Sequence, residues 1–165
     1  MRDGATNRRL VRGRGPTHRL IRLGAFALFG CYTAGVLVAV VNTQGEVLLV
    51  QERIRQRGRW GLPGGFLKRA EEFHDAAARE LFEESGIEIP VAPTDLAGVW
   101  KQPWARHLDV LFLTHTEHGA IPPDVRTREI RACAWHALDA LPNLTEEAHH
   151  VLDRRLPGLR RGGPQ

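Results

Sequence analysis

Three glutamates, Glu80, Glu83 and Glu84, stand within five positions of one another in the segment EFHDAAARELFEES. Its alanines, leucine and glutamates favour a helix, and Gly86 sits where a C-cap glycine belongs. At about 3.6 residues per turn, positions 80, 83 and 84 share one helix face. Like charges at that spacing repel and cost stability. The chain must either leave this face in water or bring positive charge to it. A hard divalent cation with oxygen ligands suits three carboxylates aimed at one point, and Mg²⁺ suits best because it shares its shell with phosphate oxygens. Leu81, with Ala77 and Ala78, turns toward the core. On spacing alone, a solvated acidic face and a metal-binding face stay equally open.

Length and composition bound the rest. A chain of 165 residues, 42% hydrophobic and 25% charged, fits one globular domain with its own core and excludes wholesale disorder. The net charge is +4, and the basic excess is almost all arginine. It gathers at the ends: Arg2, Arg8, Arg9, Arg12 and Arg14 at one, Arg154, Arg155, Arg160 and Arg161 at the other. Such tails hold nucleic acid or anionic membrane in some proteins. No aromatics interleave with Arg2–Arg14, so residues 1–17 read as a mobile basic tail and no nucleic-acid partner is expected. Cys31 and Cys133 have no metal-type or disulfide spacing, which points to a reducing, cytoplasmic setting.

Leu23–Val41 carries no charge over 19 residues, close to membrane-spanning length. Yet it contains Gly24, Gly30 and Gly35, and its second half is β-branched. NTQG then reads as a turn. The run is therefore split: an apolar helix at about residues 18–30 with its connection to 34, then a hairpin of strands Val36–Val41 and Glu46–Val50. A membrane partner is disfavoured. ERIRQRGRWGLPGG reads as a loop, DLAGVWKQ, HLDVLFLTHT and EIRACAWHA as strands, and LTEEAHHVLDRRL as a helix capped by Thr145. The order predicts an α/β fold with a mixed sheet, a main domain over 35–157 and a C-terminal tail over 158–165.

Upstream of the glutamates, PGG allows a backbone to approach a ligand closely. Glu71 and Arg79 carry opposite charges that can pair across the loop. From Gly65 the spacing is Gly, five residues, Glu71, seven residues, Arg79-Glu80-Leu81-any-Glu83-Glu84-any-Gly86-Ile87. This resembles the Nudix box, the signature of the Nudix hydrolases, at every defined position. WGLPGG and ALDALP also look like the family, and the resemblance covers about residues 35–155.

The resemblance implies an α/β/α sandwich in a single domain, with the N-terminal helix as an addition. It implies cleavage of a nucleoside diphosphate linked to another group, with Mg²⁺ or Mn²⁺. Glu80, Glu83 and Glu84 match the metal-ligand glutamates, the Gly65 carbonyl a backbone ligand, and Glu71 with Arg79 the pair that braces the loop. A late acidic residue near the site is common in the family; Glu129 is the first candidate and Glu117 the second. Catalysis falls to Glu80, Glu84 and Glu129, with the general base open between Glu80 and Glu129. Two positions depart from the pattern: Lys68 where an acid is frequent and Ala70 where glycine is frequent.

For substrate contacts the candidates are Arg53 and Arg59 of the arginine-rich loop, then Trp100, Pro103 and Trp104. Pro103 lies sixteen residues after Ile87, where ADP-ribose hydrolases of the family often carry proline. A small-molecule nucleotide is the expected partner, ADP-ribose the leading one, and a homodimer is allowed. A pyrophosphatase for oxidised nucleoside triphosphates and a non-catalytic nucleotide sensor are the alternatives. The intact glutamates argue against the sensor.

Overall fold

The fold is taken from a computed structural model, which describes residues 30–54, 58–103, 105–116 and 127–161. The expected tail over 1–17 and apolar helix at 18–30 lie outside the described residues, apart from Gly30. Strand β1 spans Thr33–Val41 and β2 Glu46–Glu52. Between them Asn42 builds the turn, its Oδ1 accepting the Gln44 and Glu46 N–H groups at 3.0 and 2.9 Å. Gly45 supplies the positive φ of 76° that this turn needs. β1 begins two residues ahead of the expected boundary at 35, because Thr33 already pairs with His107 across the sheet.

β4 (Leu96–Lys101), β5 (His107–His115) and β6 (Ile130–Ala137) complete the sheet, in the order β4-β5-β1-β2-β6. β1 and β5 are parallel and the other pairs antiparallel, so the sheet is mixed. Helix α1 (Phe73–Ser85) ends at Gly86, whose φ is 70°. Helix α2 (Glu146–His150) is capped by Thr145 Oγ1 on the Ala148 N–H and continues as a π turn over Val151–Arg155. A short α3 covers Pro157–Arg161.

Residues 60–65, read from sequence as loop, are extended and paired. β1 and β2 are in register only at Val41↔Val47 and then diverge. Into the gap runs the chain from Trp60, bonded to β2 through Val50 and Gly61, and to β1 through β3 (Gly64–Phe66). Proline and glycine carry no strand signal; the open gap between two strands overrides propensity here.

Alternation along the strands divides the core into two layers. Val36, Val38, Val40, Leu48 and Phe112 pack on Ala76, Ala77 and Leu81 of α1. Leu37, Ala39, Leu49 and Leu111 pack on Ala148, Val151 and Leu152. Leu81 is fully buried, a contribution of about 2 kcal/mol that ties the glutamate-bearing helix to the sheet. The result is the expected α/β/α sandwich.

Candidate active site

β3 brings two glycines closer to their neighbours than any side chain permits. A Cβ on Gly65 would lie 2.5 Å from the Glu80 carboxyl carbon and Oε1, and 2.8 Å from Oε2. A Cβ on Gly64 would lie 2.3 Å from the Val36 carbonyl oxygen. The Gly64 N–H donates to Glu84 Oε2 at 3.1 Å. Glycine at 65 thus lets the Glu80 carboxylate lie against the β3 backbone, and glycine at 64 lets β3 lie against β1.

Arg79 ties the cluster together. Its guanidinium donates to both Glu71 oxygens, at 2.7 and 3.0 Å, to Glu80 Oε1 at 2.6 Å and to Glu83 Oε2 at 3.2 Å. It also reaches the Phe66 carbonyl at 3.3 Å, and Glu71 takes the Lys68 N–H at 2.9 Å. The loop from Phe66 to Glu71 is therefore held at both ends. The bidentate bond to Arg79 draws the Glu71 carboxyl down to about 2, against a smaller opposing effect of burial. Lys68 Nζ stands 3.3 Å from Glu83 Oε1, and both side chains are exposed, so this pair adds little stability. Ala70 adopts a φ of 61°, the left-handed conformation for which glycine is suited.

Glu84 is the electrostatic extreme. Burial pushes its carboxyl up to about 8; the Gly64 N–H opposes this, and the Glu80, Glu52 and Glu129 carboxylates add to it. The Cys133 thiol is likewise pushed up to about 12, by burial and then by Glu84. Glu129, exposed just before β6, thus stands near enough to act on Glu84, and its carbonyl accepts the Arg53 N–H at 2.8 Å. Glu52 was not anticipated. It follows Leu48 and Val50 at period two, but the register slips between Gln51 and Glu52.

Among the described residues no three carboxylate, imidazole or thiol groups converge in ligating geometry. Arg79 and Lys68 hold Glu80 and Glu83, and the Gly64 N–H holds Glu84. The donor chemistry still fits a hard cation. Every group is an oxygen donor, and the carboxylate repulsion that adds to the effect of burial on Glu84 is of the kind a divalent charge relieves.

Trp100 and Pro103 are on the other side of the sheet. They line a cleft of about 420 Å³ together with Gln102, Glu147, His150 and Arg155. The Arg155 guanidinium lies 5.1 Å from the Trp100 ring centre. Arg53 and Arg59 are exposed on the loop beside β2. Trp104 and Glu117 fall outside the described residues.

The family model for the NUDIX domain matches residues 32–156. The chain belongs to the Nudix hydrolase family. The NAD-capped RNA hydrolase NudC of Erwinia tasmaniensis is 30% identical over 113 residues, 67% of this chain and 41% of that protein. The 8-oxo-dGDP phosphatase NUDT18 of Danio rerio is 32% identical over 133 residues, 79% of this chain and 38% of that protein. The chain thus spans about two fifths of the length of these relatives. The crystal structure of a MutT Nudix hydrolase from Burkholderia pseudomallei is 30% identical with a TM-score of 0.63, covering 75% of this chain and 98% of that one. No helix among the described residues is long and apolar enough to cross a membrane.

Proposed function

We propose that this hydrolase cleaves the diphosphate of a nucleoside diphosphate joined to a second group, with a nucleotide sugar such as ADP-ribose as the favoured substrate. The observation that carries the reading is the oxygen-only cluster of Glu80 and Glu84 packed on Gly65 and Gly64. Gly65 (through its carbonyl), Glu80, Glu83 and Glu84 would hold Mg²⁺ or Mn²⁺. When bound, the ion supplies charge neutralisation at the diphosphate and acidifies water. Glu80, or Glu129 from the turn before β6, takes the proton of the attacking water. Glu71 and Arg79 do no chemistry in this reading; they keep the loop in shape.

The cleft at Trp100 and Pro103 supports a ring-bearing ligand. Lys68, which would suit extra phosphate charge, is engaged with Glu83. The Danio relative keeps a damaged nucleotide as the second reading. Two free cysteines, Cys31 and Cys133, support a cytoplasmic setting, with a small nucleotide rather than nucleic acid as partner. The test is kcat/KM with Mg²⁺ for ADP-ribose, NAD, a UDP-sugar, dGTP and 8-oxo-dGTP. ADP-ribose is expected to lead; a triphosphate ahead by tenfold, about 1.4 kcal/mol of transition-state preference, replaces this reading with the sanitising one.

A further inference from the structure

A chain of polar side chains that the sequence did not announce runs beneath the cleft. Gln102 is 8% exposed and Asp109 only 3%. The Gln102 amide nitrogen donates to Asp109 Oδ2 and, at 3.2 Å, to Glu147 Oε1. Asp109 Oδ1 lies 3.1 Å from His107 Nε2, and His107 Nδ1 lies 2.7 Å from Thr33 Oγ1. The Gln102 main chain is also fixed, its N–H donating to the His107 carbonyl at 3.0 Å.

Two carboxylates take the two amide protons, so the side chain has one orientation. Turned over, it would set its oxygen against both acids. The amide oxygen is thereby directed away from them. Among the described residues no hydrogen bond reaches it, and Gln102 lines the cleft beside Trp100. It is an acceptor fixed in the wall of a cleft that also holds an indole ring.

The same chain touches the Nudix box. His107 packs edge-on against Phe66, ring centres 5.5 Å apart. Gly35 lies between His107 and the box: a Cβ there would stand 2.9 Å from His107 Nε2 and 3.2 Å from the Gly65 carbonyl oxygen. His107 therefore links the Gln102–Asp109 pair to β3, the strand against which Glu80 packs.

We propose that Gln102 determines specificity: its amide oxygen accepts a hydrogen bond from the exocyclic amino group of a nucleobase lying along Trp100, and Asp109 is the positioning residue that fixes that oxygen. The ligand class is an aminated base such as adenine. This rests on the nucleotide reading of the site, and the experiment separates the two. Binding of AMP and of purine riboside 5′-monophosphate, which has hydrogen in place of the amino group, is measured by calorimetry on the whole chain. Hydrolysis of ADP-ribose is measured in parallel.

The native protein is expected to prefer AMP by about tenfold, the size of one hydrogen bond to a partly desolvated acceptor. Gln102→Met should bring the two ligands within about twofold by weakening AMP alone. Asp109→Asn puts a donor where the amide found an acceptor, and should erode the same preference while leaving the analogue's Kd in place. A merely structural role for Asp109 would weaken both ligands together. Equal or absent binding of the two ligands by the native protein, or a preference that survives Gln102→Met, overturns the inference. ADP-ribose hydrolysis without the preference leaves the proposed function standing; the preference without hydrolysis leaves the base reading standing and removes the substrate.

Discussion

Gly64 and Gly65 are adjacent, and the fold predicts different consequences for the same substitution in each. A methyl group on Gly65 meets the Glu80 carboxylate at 2.5 Å, where ordinary contact begins near 3.4 Å. The carboxylate must retreat by about 1 Å. It can, because it is the end of a flexible side chain, but it is bonded to Arg79 at 2.6 Å and disturbs that bond. The expected stability cost is about 1 kcal/mol, a shift of roughly 3 °C in Tm for a domain of this size. The catalytic cost is larger: displacing a reacting or ligating group by about 1 Å lowers kcat by about 10–100-fold. A methyl group on Gly64 meets the Val36 carbonyl at 2.3 Å and the Leu37 Cα at 3.2 Å. Backbone cannot yield without opening the β1–β3 ladder, so Gly64→Ala should cost about 3 kcal/mol. Thermal melts and Mg²⁺-dependent hydrolysis of ADP-ribose on both variants decide the matter. A Gly65→Ala protein with native kcat, or one that melts as early as Gly64→Ala, refutes the reasoning.

Other perturbations follow from the same geometry. Glu84→Gln keeps an acceptor for the Gly64 N–H, so it should fold normally and lose about 10²–10⁴-fold in kcat; near-native turnover, or full activity of the native protein in EDTA, would contradict the role given to the cluster. Glu71 has a folded pKa of about 2 against an ordinary value of 4.5, so its stabilisation is present above about pH 4.5 and lost as pH falls toward about 2. Melting temperature followed from pH 6 to pH 2 should therefore fall less in Glu71→Gln than in the native protein, and parallel curves would dismiss the pair. Ala70→Gly should relieve about 1–2 kcal/mol of left-handed strain, set against about 0.5–1 kcal/mol of added chain entropy. A rise of about 2 °C in Tm is expected, and a fall would show that the loop does not need glycine there.

How much of this was readable beforehand depended on the range of the interaction. The glutamate face, the Gly86 cap and the Asn42 turn are local, because each is set within a few residues by helix period or turn chemistry. The Glu71–Arg79 pair was legible because both residues belong to one fixed spacing. That Arg79 also serves Glu80 and Glu83 was not, since side-chain direction on the helix decides it. β3 was hidden because its residues follow the shape of a gap rather than their own propensity. Glu52 was hidden by a register slip. His107 and Asp109 looked like ordinary polar residues of a strand. Their meaning appears only when parallel pairing places Thr33 beside His107 and Gly35 beside Asp109, partners 74 residues apart.

The acidic face with which the sequence begins its argument gathers further carboxylates in the folded protein. Glu71, Glu80, Glu83 and Glu84 are joined near the β3 backbone by Glu52 and Glu129, both close enough to act on Glu84. The basic side chains bonded to this group are Arg79, shared among three of the carboxylates, and Lys68, exposed and paired with Glu83. Among the described residues these six acids meet two bonded basic side chains, and Glu84, pushed up to about 8 by burial, receives the Gly64 N–H. Structural need alone does not explain such an arrangement, since replacing Glu84 with a neutral residue would ease both burial and repulsion. A carboxylate kept at that cost beside the tight Gly65–Glu80 contact accords with the proposed role of the cluster in holding a divalent cation and the phosphates that come with it.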